Sequence, residues 1–129
     1  MKLLTLRGLE AIAEKQWEEK AKQLVRAIAE QEGVDFNQLY PYLVDYSFGN
    51  GRVDAIFKLP GHTAIRLFGG YGHRAPANLV NGEIDGDYGW MAWAYRKMGS
   101  PAFTGCENLG EALLLARWAY EQDNRALYR

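Results

Sequence analysis

Residues 43–59 read LVDYSFGNGRVDAIFKL, and the alternation within this stretch decides the predicted fold class. Apolar side chains recur at every second position on both sides of a central Gly-Asn-Gly; they are Val44, Tyr46, Phe48, Val53, Ala55, Phe57 and Leu59. A period of two is typical of a half-buried strand. Asn50-Gly51 tolerates the positive φ angles of a type I′ turn. The stretch therefore predicts an antiparallel hairpin.

Two more strands are predicted downstream of this hairpin. Leu59-Pro60-Gly61-His62 has the proline and glycine positions of a type II turn, so a third strand is expected over residues 63–68. A fourth strand is expected over residues 90–97. Its apolar residues fall on both alternating sets, with Met91, Trp93 and Tyr95 on one and Trp90, Ala92 and Ala94 on the other.

Helical periodicity flanks the strands at both ends of the chain. Apolar residues recur at helical spacing over residues 8–33, and Gly33 is a natural helix end because it can take a left-handed conformation. The last helix is expected to start at Asn108, whose side chain can cap the amide of Glu111 while Glu111 reaches back.

The order αββββα predicts one α+β domain over residues 1–129. We expect a two-layer sandwich, in which a four-stranded antiparallel sheet carries the N- and C-terminal helices on one face. No internal repeat, low-complexity tract or linker divides the chain.

The sheet face that the helices leave open is the first candidate site. We expect Met91, Trp93 and Tyr95 on the covered face, and a mixed open face whose candidate interface residues are Ile56, Arg66, Phe68, Trp90 and Arg96. Aromatic residues beside arginine are typical of interface centres. The competing interpretation is a solvated sheet surface with weak cross-strand charge pairs.

The second candidate site is a loop predicted over residues 69–90, which includes NGEIDGDYGW at 81–90. Histidine beside carboxylates suits acid–base chemistry, so His73 is a candidate base that Asp85 or Asp87 would orient. The candidate ligand-binding residues are Tyr71, Arg74 and Tyr88, with Arg74 suited to an anionic group. A calcium loop fails to match, because Ala92 stands where the bidentate glutamate is required. The remaining interpretation of this segment is a simple turn.

Composition excludes several other classes of function. The chain has 129 residues, a net charge of −1 and one cysteine, so it lacks the basic character of nucleic-acid binders and the ligands of a four-cysteine zinc site. We expect no cofactor, no metal, no membrane segment and a cytoplasmic location. The predicted function is a small protein-interaction module that forms a homo-oligomer or docks on a protein partner through the open sheet face and the glycine-rich loop that starts at Gly69-Gly70. The alternative is a small-molecule-binding protein or enzyme with its site in the 69–90 loop.

Overall fold

The fold combines a helix at each end of the chain with an antiparallel sheet between them. A computed structural model describes residues 5–70, 76–95 and 101–127. The described elements, in chain order, are helix α1 (Leu6–Glu32), two short 3₁₀ helices (Phe36–Gln38 and Tyr40–Tyr42), strands β1 (Leu43–Gly49), β2 (Arg52–Phe57), β3 (Ile65–Gly69), β4 (Asn78–Val80), β5 (Glu83–Asp85), β6 (Gly89–Tyr95) and β7 (Pro101–Cys106), and helix α2 (Leu109–Leu127). Among the described residues, no helix is both long enough and apolar enough to cross a bilayer.

Both predicted helices form, and their caps explain where they begin and end. Helix α1 starts after Thr5, whose hydroxyl accepts a hydrogen bond from the Gly8 amide, and it ends at Gly33 with φ of 69°. Helix α2 starts after Asn108, whose side chain accepts from the Glu111 amide at 2.8 Å. The Glu111 carboxylate also reaches back, as predicted. It accepts from the Glu107 amide at 3.2 Å, one residue before the Asn108 amide that a capping box would use.

The main sheet has five strands, so the predicted count of four is wrong. Its spatial order is β1-β2-β3-β6-β7, and every neighbouring pair is antiparallel. Strand β7 was missed because its sequence, PAFTGC, starts with proline, contains glycine and lacks an alternating apolar pattern. Its hydrogen bonding to β6 comes from the tertiary structure rather than from its own propensity.

A second hairpin occupies part of the predicted 69–90 loop. Strands β4 and β5 pair around Asn81-Gly82, whose φ angles are 52° and 78°. Asn50-Gly51 makes the same type I′ turn between β1 and β2, with φ angles of 55° and 79°. The turn signal was therefore the same at both places, but strands of three residues are too short to show a period.

The two helices lie on one face of the main sheet and close a single hydrophobic cluster. The buried side chains of this cluster include Leu24, Val25 and Ile28 of α1, Val53, Ala55, Phe57, Ile65, Leu67, Trp90 and Ala92 of the sheet, and Leu109, Ala112 and Ala116 of α2. Thr63 links the layers, because its amide donates to the Ala116 carbonyl at 3.0 Å and its hydroxyl donates to the Trp93 carbonyl at 2.5 Å. One sheet face is thereby covered.

The side of strand β6 that faces the helices is the opposite of the predicted one. Trp90 pairs with Leu67 and is only 2% exposed, so its expected position on the open face is wrong. Met91, Trp93 and Tyr95 occupy the open face instead of the covered one. Both alternating sets of this strand are apolar, so the period could not decide between them. Small side chains decide which set faces the helices, because Ala92 and Ala94 let α2 lie close against the sheet at Ala112 and Ala116.

Candidate functional site

Neither helix covers the opposite side of the sheet, which carries a cluster of aromatic side chains. We call this surface the aromatic face and define it by Asp54, Ile56, Arg66, Phe68, Met91, Trp93 and Phe103, all of which share one side by strand register. Most of these side chains are partly exposed. The aromatic face is the main functional candidate because large apolar side chains on an open surface mark interaction sites.

An ion pair lies at the centre of the aromatic face. The Arg66 guanidinium donates to both carboxylate oxygens of Asp54, at 2.8 Å from Nε and 2.5 Å from Nη2. These hydrogen bonds raise the pKa of Arg66 above its ordinary value. The pair is bidentate, which is the geometry in which arginine and carboxylate bind most specifically. Its two charges cancel locally, so the centre of the face has no net charge.

Aromatic rings surround the guanidinium. The Arg66 guanidinium lies 5.1 Å from the ring centroid of Phe68 and 5.9 Å from that of Phe103. Phe103 also meets Trp93 edge to face, with centroids 5.2 Å apart. Trp93 is 38% exposed and Tyr95 is 51% exposed. Cation–π and aromatic contacts therefore hold these side chains in place.

Two glycines on the strands of the aromatic face leave positions without a side chain. Gly105 pairs with Met91, and Gly89 pairs with Phe68, so neither position contributes a side chain to the open side. A Cβ atom added at Gly105 would meet no other atom within 4 Å. The rings of Phe68 and Phe103 therefore meet no side chain from these two positions.

The sequence located part of this surface. Ile56, Arg66 and Phe68 lie on the open side as predicted, while Trp90 does not and Arg96 lies outside the described residues. The sequence analysis missed Trp93 and Phe103. Trp93 was assigned to the wrong face, and Phe103 belongs to the strand that lacked a pattern. The role of all these residues as an interface stays a prediction.

The loop candidates are not brought together within the described residues. Tyr71, His73 and Arg74 lie outside them, and the side chains of Asp85 and Asp87 are exposed. The described residues contain no group of three histidine, cysteine or acidic side chains that could hold a metal ion. Burial raises the pKa of the Cys106 thiol, which disfavours its reactive thiolate. A ligand site in the 69–90 loop stays a prediction.

Tyr88 has a structural partner rather than an open position in a pocket. Its hydroxyl donates to Glu32 Oε1 at 2.7 Å, and Trp90 Nε1 donates to the same oxygen at 2.8 Å. The Ile84 amide donates to the Gln31 side chain at 3.2 Å. The end of α1 therefore holds both the β4–β5 hairpin and the segment that leads into β6.

These contacts predict a dependence of stability on alkaline pH. Burial, and then the hydrogen bond to Glu32, raise the pKa of Tyr88 above its ordinary value near 10. The contribution of this phenol to stability is therefore complete below about pH 10 and is lost as pH rises through the higher folded pKa. We expect Tyr88→Phe to make the free energy of unfolding fall less steeply with pH above about pH 10. Urea denaturation at several alkaline pH values measures this slope.

Glu32→Gln provides the second variant for this measurement. The amide oxygen still accepts from Tyr88 and Trp90 but carries no charge, so the slope should again be shallower than in the wild type. Slopes that are identical in all three proteins would contradict the assigned contact.

Comparisons with protein-family models, with curated proteins and with solved structures found no match to this chain.

Proposed function

We propose that the protein is a small interaction module that self-associates by packing its aromatic face against the same face of a second copy. The observation that supports this proposal is the uncovered sheet face, on which Phe68, Trp93 and Phe103 surround an internally paired Arg66. Both helices are already used to cover the other face. A second copy would provide the missing layer.

The charges of the aromatic face suit burial against another apolar surface. An unpaired charge that leaves water costs several kcal/mol, on the order that breaks an interface. Arg66 and Asp54 are already joined by two hydrogen bonds, so neither needs a partner from the second copy. Arginine and aromatic residues are also enriched at the centres of protein interfaces.

The size of the face is sufficient for a specific dimer. Five strands about 4.8 Å apart and about 20 Å long present roughly 500 Å² in projection. With the relief of its side chains, two such faces would bury on the order of 1,000–1,500 Å² in total, which reaches the range of specific interfaces. A twofold axis that runs between the sheets, across the strands, would place the aromatic side chains of β6 and β7 against the same strands of the second copy.

Gly105→Glu tests this proposal without disturbing the fold. The new side chain would enter open space beside Phe103, and its carboxylate would be buried and unpaired only in the dimer. We expect wild-type protein to sediment as a concentration-dependent dimer and the variant to dissociate at least about tenfold more readily, which corresponds to about 1.4 kcal/mol. Sedimentation equilibrium measures both dissociation constants.

Leu114→Glu is the matched control, because Leu114 is 72% exposed on α2, away from the aromatic face. It should dimerise as the wild type does. A wild-type protein that stays monomeric up to millimolar concentration would overturn the proposal. A Gly105→Glu variant that dimerises normally would overturn it as well, since the dimer would then use another surface.

A further inference from the structure

A concave surface lies away from the aromatic face, where three segments of the chain meet. It is a cleft of about 500 Å³ between the turns that follow α1, the turn between β2 and β3, and the start of α2. We call it the apolar cleft; the residues that line it are Val34, Asn37, Gln38, Leu39, Tyr42, Leu59, His62, Leu109 and Leu113. Its volume falls in the range of cavities that bury small-molecule ligands, roughly 300–1,000 Å³.

Backbone hydrogen bonds hold the walls of the apolar cleft in place. The Tyr42 amide donates to the Leu39 carbonyl at 3.0 Å, and the His62 amide donates to the Leu59 carbonyl at 3.2 Å. The two walls are also joined, because the Lys58 amide donates to the Tyr42 carbonyl at 2.9 Å. Leu39 and Leu109 belong to the hydrophobic core and form the floor. The cleft is therefore formed before a ligand binds, which lowers the entropic cost of binding.

The lining selects against charged ligands. Among the described residues, those that line the cleft include no lysine, arginine, aspartate or glutamate. An ion that entered would lose its hydration without gaining a counter-charge. Five of the lining side chains are aliphatic, so apolar contact would supply most of the affinity.

His62 provides an identifiable hydrogen-bonding group in this lining. Its Nδ1 lies 2.8 Å from the Pro60 carbonyl oxygen, which can only accept, so Nδ1 carries the proton and donates. In the neutral imidazole the other nitrogen, Nε2, is then an acceptor. A bound molecule with a hydroxyl or N–H group can donate to it.

We propose that the apolar cleft binds an uncharged, largely apolar small molecule that carries one hydrogen-bond donor. This site is independent of the aromatic face and does not require the dimer. Three features support it: a preformed volume, a lining without formal charge in which five of the nine side chains are aliphatic, and the hydrogen bond that fixes the tautomer of His62.

A pair of fluorescent probes tests both the location and the charge selectivity. N-phenylnaphthylamine is uncharged and has one N–H donor, whereas anilinonaphthalene sulfonate has the same ring system with an added anionic group. We expect the uncharged probe to bind with a stoichiometry of one per chain and at least about tenfold more tightly than the sulfonate. Fluorescence titration of the native protein gives both dissociation constants. Equal affinities, or binding of the sulfonate alone, would overturn the proposal.

Asn37→Trp locates the bound probe. Asn37 is exposed at the rim, so an indole there should occupy the cleft without disturbing the core and weaken binding of N-phenylnaphthylamine at least about tenfold. Gln16→Trp adds the same ring at an exposed position of α1 and should leave binding unchanged. Gly105→Glu should also leave it unchanged. If Gly105→Glu abolishes binding while Asn37→Trp does not, the probe binds the aromatic face and the proposal of a ligand in the apolar cleft fails. The proposed dimer is tested separately, by sedimentation equilibrium.

Discussion

Trp90→Ala is expected to lower the free energy of unfolding by about 3–5 kcal/mol, the usual cost of removing a large aromatic side chain from a core. Trp90 is 2% exposed, its ring centroid lies 6.2 Å from that of Phe57, and its Nε1 donates to Glu32. Truncation would leave a cavity beneath the helices and would also remove one of the two donors to the Glu32 carboxylate. The loss is a large share of the stability of a domain of this size.

Trp93→Ala is the matched control, because Trp93 lies three residues further along the same strand on the opposite face. It is 38% exposed and its main aromatic contact is Phe103, so we expect a loss of about 1 kcal/mol. Urea denaturation followed by far-ultraviolet circular dichroism measures both variants, at protein concentrations low enough to keep the chain monomeric. Equal losses would show that the assignment of the two tryptophans to opposite faces is wrong.

Gly70→Ala is expected to destabilise the protein by about 3 kcal/mol or more, from two additive causes. The φ angle of Gly70 is 127°, a conformation that costs a residue with a Cβ about 1–3 kcal/mol. The new Cβ would also lie 2.5 Å from the Gly51 carbonyl oxygen and 2.9 Å from the Arg52 Cα. Both atoms are backbone of the β1–β2 hairpin, so neither can move without disturbing the sheet.

Gly49→Ala separates the two causes. The φ angle of Gly49 is 125°, but an added Cβ there would meet no other atom within 4 Å. This variant should therefore show the backbone strain alone, with a loss of about 1–3 kcal/mol. Thermal or urea unfolding of both variants measures the difference. A Gly70→Ala variant as stable as Gly49→Ala would contradict the close approach of the two segments.

The close approach at Gly70 also changes the interpretation of the glycine-rich segment. The sequence pattern predicts that Gly69 and Gly70 belong to a functional loop. A Cβ at Gly69 would lie 2.6 Å from the Asp87 carbonyl oxygen. Close packing against neighbouring backbone therefore explains both Gly69 and Gly70. Sequence alone cannot separate these two explanations, because the neighbours that exclude a Cβ are about 18 residues away along the chain.

Local signals accounted for most of the elements that were predicted correctly. The cap at Asn108, the end of α1 at Gly33 and the turn at Asn50-Gly51 each depend on a few neighbouring residues. The turn at Pro60-Gly61 is equally local, with φ of 74° at Gly61 and a hydrogen bond from the His62 amide to the Leu59 carbonyl. Such features can be predicted from the sequence because the residues that cause them are close along the chain.

The rest of the aromatic face could not be predicted in the same way. Ile56, Arg66 and Phe68 belong to strands in which one alternating set is wholly apolar and the other contains charged residues, so their face followed from alternation. Trp93 belongs to a strand that is apolar on both sides, and Phe103 belongs to a strand without a pattern. Their positions depend on pairing with β3 and with β6, respectively.

The sequence by itself determined the α+β class, the two terminal helices and the first hairpin, because period, caps and turn residues act over a few positions. Only the tertiary structure decided which side of β6 meets the helices, that PAFTGC becomes an edge strand, and that Tyr88 and Trp90 share Glu32. The physical reason is that these outcomes leave the least empty volume and the fewest unpaired polar groups where segments distant in the chain pack together. The position of the candidate site on the open face is a consequence of that packing.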